Sequence, residues 1–368
     1  IASIGDVGLL IKYIGNADVQ IEKGGNGPSA GWVAHGYGIK FPAWRTQFSW
    51  NRSDSRSAFA MLMIPFNMDH DSVIFQDVGC VGDDLGFTIA LKKNQTNYAI
   101  NIDDRNHTHI AIDQNLIQPG GTLVSTDSHA NILGAIGAFG QGMGDIDIAN
   151  GFANGKTWFK VPHTMKITLT GTPQDTTSPK DIVLKMAKEL GANGLLGYAV
   201  ELYGPYIDNL DLSGRITMAS MATEMGAIIM LFPPNTHIKD YYHQHFNQTI
   251  TPIYADPDAQ YALEKTIDIT NLPPQISRPG HPEDVIDVTG VHGTPVDSGF
   301  IGSCTNGRLE DLRAAAAILK NRKIAPGRVL KIVPATDTIW QQSLKEGLIT
   351  IFKDAGALVG SAGCAGCA

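Results

Sequence analysis

Cysteine is scarce in this chain: Cys80, Cys304, Cys364 and Cys367 are the four present in 368 residues. A disulfide-stapled secreted protein of this size carries more, so the expected setting is intracellular and reducing, with thiols kept for chemistry. Long apolar runs are missing as well. No stretch of about 18 consecutive apolar residues occurs, which argues against a spanning helix. The N-terminus shows no basic start followed by an apolar block, so no secretory signal is expected. The chain opens on Ile1 rather than Met, and its true start is expected upstream. Clustered Lys and Arg are the third absence. With a formal net charge of -8, nucleic acid is not the expected main ligand. The expected location is the cytoplasm or an organellar matrix. What is abundant is apolar content, at 43%, and glycine, at 40 residues. The first suits a globular protein of two or three domains, and the second implies many tight turns and close backbone approaches.

Residues 1–66 are the least legible; Gly24-Gly25-Asn26-Gly27-Pro28 reads as loop. From Asp69 the pattern becomes α/β. Thr122–Ser125 reads as a short strand, and Ala149–Ala153 as helical. The alternation of Met165–Thr170 predicts a strand. Ser178-Pro179-Lys180-Asp181 opens a helix that runs through Leu190 and stops at Gly191: Ser178 is the N-cap, Pro179 the first helical residue and Asp181 the capping-box partner. Arg215–Met230 reads as a buried helix. Residues 233–290 read as loops with short elements. Further on, helices are expected at Leu309–Leu319 and Ile339–Gly347, with a strand at Val329–Val333. Such strand–helix alternation implies parallel sheets covered by helices.

Cys364 and Cys367 form a C-x-x-C among small residues, and Cys304 lies far upstream, ahead of a helix. Three converging thiolates can hold three irons of a [4Fe–4S] cluster and leave the fourth open as a Lewis acid. Spacing alone leaves three alternatives standing: a zinc site, a redox pair and inert buried thiols. Asp69-His70, His109, Asp127-Ser128-His129 and Glu224 lie in apolar or glycine-rich surroundings. Paired acids and histidines suit proton transfer, although any one of eleven histidines is more often a satisfied structural residue. The glycine-rich stretch Gly134–Gly144 lacks a dinucleotide fingerprint and a Walker lysine, and reads as close backbone packing.

Taken together, Thr126-Asp127-Ser128-His129 with Gly134–Gly140, Gly155–Pro162, Thr177–Asp181, Gly302–Asn306 and Gly363–Cys367 resemble, in order, the motifs of the aconitase superfamily, most closely the isopropylmalate-type large subunits. The resemblance covers roughly residues 100–368. It implies an α/β fold of three layered α/β/α domains around a central iron–sulfur site, over 1–163, 164–285 and 286–368. It implies a [4Fe–4S] cluster held by Cys304, Cys364 and Cys367, with one iron open. It places His109 and Asp127 as a hydrogen-bonded pair, His129 and Glu224 as a second pair, Ser128 on substrate, and Asp69 with His70 as the pair that protonates the departing hydroxyl.

The implied activity is a hydro-lyase that dehydrates and rehydrates a hydroxy di- or tricarboxylic acid, with 3-isopropylmalate and leucine biosynthesis foremost. Citrate, homocitrate or a methylated malate are the alternatives. Ala130 stands where the family often has Thr, and Ser53-Asp54 where aconitases often have Gln before an acid. The sequence stops at Ala368, ahead of the family's Asn/Arg segment, so the third domain is expected to be truncated. The swivel domain, with its serine base and arginines, is expected on a separate small subunit. No nucleic-acid or membrane partner is expected. An RNA-binding iron-regulatory relative is disfavoured by the acidic charge. An electron-transfer protein needs a fourth ligand, for which Cys80 is the spare cysteine.

Overall fold

The computed structural model describes residues 107–154 and 156–363, together with the backbone of ten strands between residues 2 and 102. Asp69, His70, Cys364 and Cys367 lie outside the described residues, as does the side chain of Cys80. The chain divides into two compact units, one of residues 1–102 with 149–157 and one of residues 103–148 with 158–368. The boundary near residue 102 falls inside the stretch expected as a first domain.

The first unit is built of antiparallel strands: β1 (Ala2–Ile4), β2 (Val7–Ile14), β3 (Asp18–Lys23), β4 (Trp32–Gly36), β5 (Ile39–Pro42), β6 (Trp44–Ser49), β7 (Ala60–Asn67), β8 (Asp77–Asp83), β9 (Gly86–Lys93) and β10 (Thr96–Ile102). They pair as β1-β2-β7, β3-β6, β4-β5 and β10-β9-β8. The α/β pattern expected from Asp69 therefore begins later, with α1 (His107–Asp113).

The second unit opens with α1, β11 (Thr122–Ser125), a 3₁₀ turn over Ala130–Ile136 and β12 (Phe139–Gly142); α2 (Asp145–Asn154) follows, its residues from 149 on belonging to the first unit. β13 (His163–Thr170) shows why a central sheet forms. Its residues alternate, and Met165, Ile167 and Leu169 are buried while their neighbours are not, as a pleated strand with one face on the core requires. β13 pairs in parallel with β14 (Tyr198–Tyr203), which pairs with β15 (Ile229–Leu231), and on its other side with β16 (Leu263–Asp268). Each parallel link needs a crossover. α3 (Pro179–Leu190) makes the first, and α4 (Pro205–Asp208) with α5 (Leu212–Ser220) the second. α3 starts as expected: Asp181 accepts from the Ser178 amide at 2.7 Å and its hydroxyl at 2.6 Å. It stops at Gly191, whose φ of 76° is left-handed.

The helix expected over Arg215–Met230 is corrected. α5 ends at Ser220, a 3₁₀ turn covers Thr223–Met225, and β15 follows. Gly226, at φ 78°, closes the 3₁₀ turn, and the apolar run after it is buried as a strand. Periodicity cannot separate a fully buried strand from a buried helix. The stretch expected as mostly loop holds two missed elements, β16 and α6 (Thr236–Phe246). α6 is capped by Asn235, which accepts from the Ile238 amide at 3.1 Å, but it buries only Ile238 and Tyr242, too few for a legible stripe.

A hairpin of β17 (Gln275–Ser277) and β18 (Val285–Asp287) leads to a second parallel sheet, β19-β20-β21. It is formed by β19 (Ser298–Gly302), β20 (Val329–Val333) and β21 (Leu358–Val359), with α7 (Ser303–Asn306), α8 (Leu309–Leu319), α9 (Asp337–Lys345) and α10 (Leu348–Ala355) between them. Its core, around Leu312, Ile332, Ile339 and Phe352, is separate from the larger one around β13 and β14. Polar contacts join the two. The Asn306 amide donates to Thr217 Oγ1 at 2.9 Å, and Ser220 and Thr305 share a hydroxyl bond at 2.8 Å. The Arg308–Asp113 ion pair, at 3.0 Å and nearly buried, ties α8 to α1.

Candidate functional site

Cys304 sits at the C-terminal end of β19, where the chain turns sharply into α7. The turn is demanding. Gly302 has φ 128°, and a Cβ there would lie 1.9 Å from the Val333 carbonyl, so glycine is obligatory. Ser303 adopts a left-handed φ of 62°, a conformation that costs energy in a non-glycine residue and concentrates at functional sites. Cys304 itself is 5% exposed. Gly363 is pinned to the Pro334 carbonyl at 3.0 Å, and Val333 pairs with Gly302. The segment ending at Gly363 therefore shares the sheet edge that carries Cys304.

His109, on α1, is fully buried and bonds the Cys304 carbonyl through Nε2 at 2.8 Å. A carbonyl can only accept, so Nε2 carries the proton. Nδ1 is buried without a partner among the described residues. Burial, aided by the charge of Arg308, lowers the His109 pKa to about 4, and its imidazole is neutral at physiological pH.

Asp127 does not bond His109 directly, contrary to the hydrogen-bonded pair implied by resemblance. One oxygen accepts from the Thr108 hydroxyl at 2.7 Å and the other from the His129 amide at 2.9 Å. The second contact is an Asx turn, which shapes the loop that presents Ser128 and His129.

His129 and Glu224 face each other, with Nε2 and Oε1 3.8 Å apart. Glu224 comes from the 3₁₀ turn after α5. The Glu224 carboxylate raises the His129 pKa against the opposing effect of burial, and Cys304 and Asp127 add to the rise. Burial pushes the Glu224 carboxyl upward, yet His129 and Lys180 hold it below its usual value. Glu224 Oε2 is buried and unpartnered among the described residues. Ser128 Oγ lies 3.2 Å from His129 Nδ1, at the rim of a cleft of ≈ 360 Å³ lined also by Thr126, Asn131, Gln141 and Thr223.

The structure thus brings His109, Asp127, Ser128, His129, Glu224 and Cys304 into one neighbourhood. Among the described residues no three His, Cys, Asp or Glu side chains form a metal-holding group. Lys180 belongs to this neighbourhood too. Burial lowers its pKa, opposed by the charges of Glu224, Cys304 and Asp311, and its ammonium donates to Met221 Sδ at 3.2 Å. Sequence reading took Lys180 only as part of a helix start; a lysine in the first turn, where the helix dipole disfavours a cation, was the available signal. A larger cleft of ≈ 590 Å³, lined by Asp113, His237, Asp240, His245 and Arg308 among others, contains none of the expected site residues.

The sequence profile of the aconitase family (aconitate hydratase) matches residues 87–294 and 289–368. The chain is 38% identical over 251 residues to 3-isopropylmalate dehydratase large subunit 1 of Methanopyrus kandleri, covering 68% of this chain and 60% of that protein. It is 41% identical over 252 residues to the 3-isopropylmalate dehydratase large subunit of Nitratidesulfovibrio vulgaris, with the same coverage. It is 38% identical over 255 residues to the probable methanogen homoaconitase large subunit of Methanothermobacter thermautotrophicus, covering 69% and 60%. The chain spans about 60% of the length of these relatives. With a profile match over most of its length, the chain belongs to the aconitase family.

Proposed function

We propose that this chain is the cluster-bearing part of an aconitase-type hydro-lyase acting on a hydroxy di- or tricarboxylic acid, with 3-isopropylmalate as the first candidate substrate and homocitrate as the second. The observation that carries the proposal is the His129–Glu224 pair set beside a buried cysteine on a strained turn.

The described residues fit an iron–sulfur group. Cys304 offers a buried thiol on a turn fixed by an obligatory glycine and a left-handed serine, and a thiolate is the donor such a group takes. Cys304 would hold the group together with Cys364 and Cys367. When bound, a [4Fe–4S] cluster with three Cys ligands and one open iron supplies a Lewis acid for a substrate hydroxyl and carboxylate.

The chain's own residues supply the rest. Glu224 favours the protonated form of His129, whose Nε2 faces the Glu224 carboxylate at 3.8 Å and whose Nδ1 then donates to Ser128 Oγ. The Ser128 hydroxyl is then free to donate to a substrate carboxylate. Asp127 fixes the loop that carries both. His109, neutral, orients the Cys304 carbonyl without adding charge. Asp69 and His70 are assigned to protonation of the leaving hydroxyl. Removal of the carbon-bound proton is assigned to a small swivel subunit, in keeping with relatives that are named large subunits.

The test is anaerobic cluster reconstitution in the purified chain, followed by dehydration assays on isopropylmalate, homocitrate, citrate and methylated malates, with and without a candidate small subunit. Activity is expected only with the partner, because general acid–base steps contribute about 10²–10⁴-fold. Cys304→Ser should abolish the cluster's visible absorbance. Full activity without a partner would refute the two-subunit reading. An unchanged cluster in Cys304→Ser would refute the ligand assignment.

A further inference from the structure

Glu224 and His129 come from segments far apart in the chain, and at 3.8 Å their contact is too long for a hydrogen bond to fix it. Directly beneath them lies a shorter chain of contacts. The Asn131 amide Nδ2 donates to Thr223 Oγ1 at 2.8 Å, and the Thr223 hydroxyl donates to the Ser128 carbonyl at 3.5 Å. Thr223 immediately precedes Glu224, and Ser128 immediately precedes His129. Each contact bridges more than ninety residues of sequence, with separations of 92 and 95.

The two anchors differ in rigidity. Asn131 is 4% exposed and belongs to the 3₁₀ turn over Ala130–Ile136, every residue of which is buried. That turn is wedged between β12 and β15. A Cβ on Gly140 would strike the Ala130 carbonyl, and Phe232 donates to the Gly134 carbonyl at 3.0 Å. The Thr223–Met225 turn has three residues; its Met225 end is buried in the core and accepts from the Leu195 amide at 3.0 Å, whereas its Thr223 end is exposed. Asn131 also keeps its amide at a cost, since Oδ1 is buried without a partner among the described residues. A buried orphan acceptor is unfavourable, and it is tolerated where the other end of the amide is needed.

We propose that Asn131 and Thr223 form a clamp that holds Glu224 against His129, making both positioning residues for the candidate acid–base pair. The inference takes from the proposed function only that His129 and Glu224 act together.

Two readouts test it. The first uses the purified full chain: the His129 imidazole is titrated by NMR in wild type, Thr223→Val, Thr223→Ser and Asn131→Ala. The groups facing His129 are Glu224, Cys304 and Asp127, and Lys180 faces Glu224. None of these is altered in the variants. Thr223→Val and Asn131→Ala should drop the midpoint toward the ordinary histidine value, and Thr223→Ser should keep it. The second readout is dehydration by the reconstituted complex. Loss of one part-buried hydrogen bond predicts a fall in kcat of roughly three- to tenfold, with KM nearly unchanged. In a Glu224→Gln background Thr223→Val should cost nothing more, because a positioning residue has no effect once its target is gone.

An unmoved His129 midpoint, or the same fold-loss in both backgrounds, overturns the clamp. A shifted midpoint in a complex that dehydrates none of the acids leaves the clamp standing and refutes the proposed activity. If Thr223→Val fails to fold, Thr223→Ala puts the same question.

Discussion

Arg215 is the largest fully buried side chain in the structure's described residues, and its replacement gives the sharpest stability prediction. It lies on α5, whose end leads into the turn bearing Glu224. Its guanidinium donates to three carbonyls: Leu210 at 3.1 Å, Pro233 at 2.9 Å and Ile207 at 3.1 Å. It also lies 5.5 Å from the Phe232 ring centroid. Burial lowers its pKa to about 10, opposed by Asp208 and Asp211, so it stays cationic at neutral pH. Hydrogen bonds to a charged group contribute about 1.5–3 kcal/mol each, which puts the gross gain at roughly 5–9 kcal/mol. Desolvating the cation offsets part of it. Arg215→Met should therefore cost about 3–5 kcal/mol, since three buried carbonyls lose their donor. For a unit of this size that lowers Tm by roughly 10 °C. Arg215→Lys keeps the charge but cannot reach three acceptors, and should fall between. Thermal and urea unfolding at pH 7 measure both. A Met variant within about 1 kcal/mol of wild type, an ordinary surface-like effect, would refute the claim that Arg215 staples the α4–α5 and β15–α6 connections.

Gly134 offers a steric counterpart: a Cβ there would lie 2.0 Å from the Met230 carbonyl, so Gly134→Ala must push the 3₁₀ turn off β15. A loss of about 3 kcal/mol or more is expected by urea unfolding, and a neutral substitution would show that the two segments are not in contact. The His129–Glu224 pair predicts a pH signature. The folded His129 value is raised, so its stabilisation is full below the unfolded value of 6.5 and is lost as pH climbs through the folded one. The folded Glu224 value is lowered, so its stabilisation is full above 4.5 and is lost as pH falls through the folded one. Glu224→Gln should accordingly cost more at pH 5.5 than at pH 9 in urea unfolding; equal losses at both would sink the pairing.

Much of the site was written in the residues themselves. The Asp127-Ser128-His129 loop and the helix start at Ser178–Asp181 follow from local rules: an Asx turn and a capping box. Such features need only a few neighbours in sequence, and motif order was enough to reach the family. The pairing of strands was not legible in the same way. Ile229–Leu231 is apolar on both sides whether helix or strand, and only its hydrogen bonds to β14 decide. α6 buries two residues, so its periodicity carries little signal. Partner choice was the other quantity that only the tertiary structure settled. His109 and Asp127 sit close, yet the imidazole goes to the Cys304 carbonyl and the carboxylate to Thr108 and to the loop's own amide. What Lys180 faces and the Asn131–Thr223 contact are invisible to any local rule, because charges and amides separated by forty to ninety residues interact only after the cores around β13 and β20 have brought their helices and turns together.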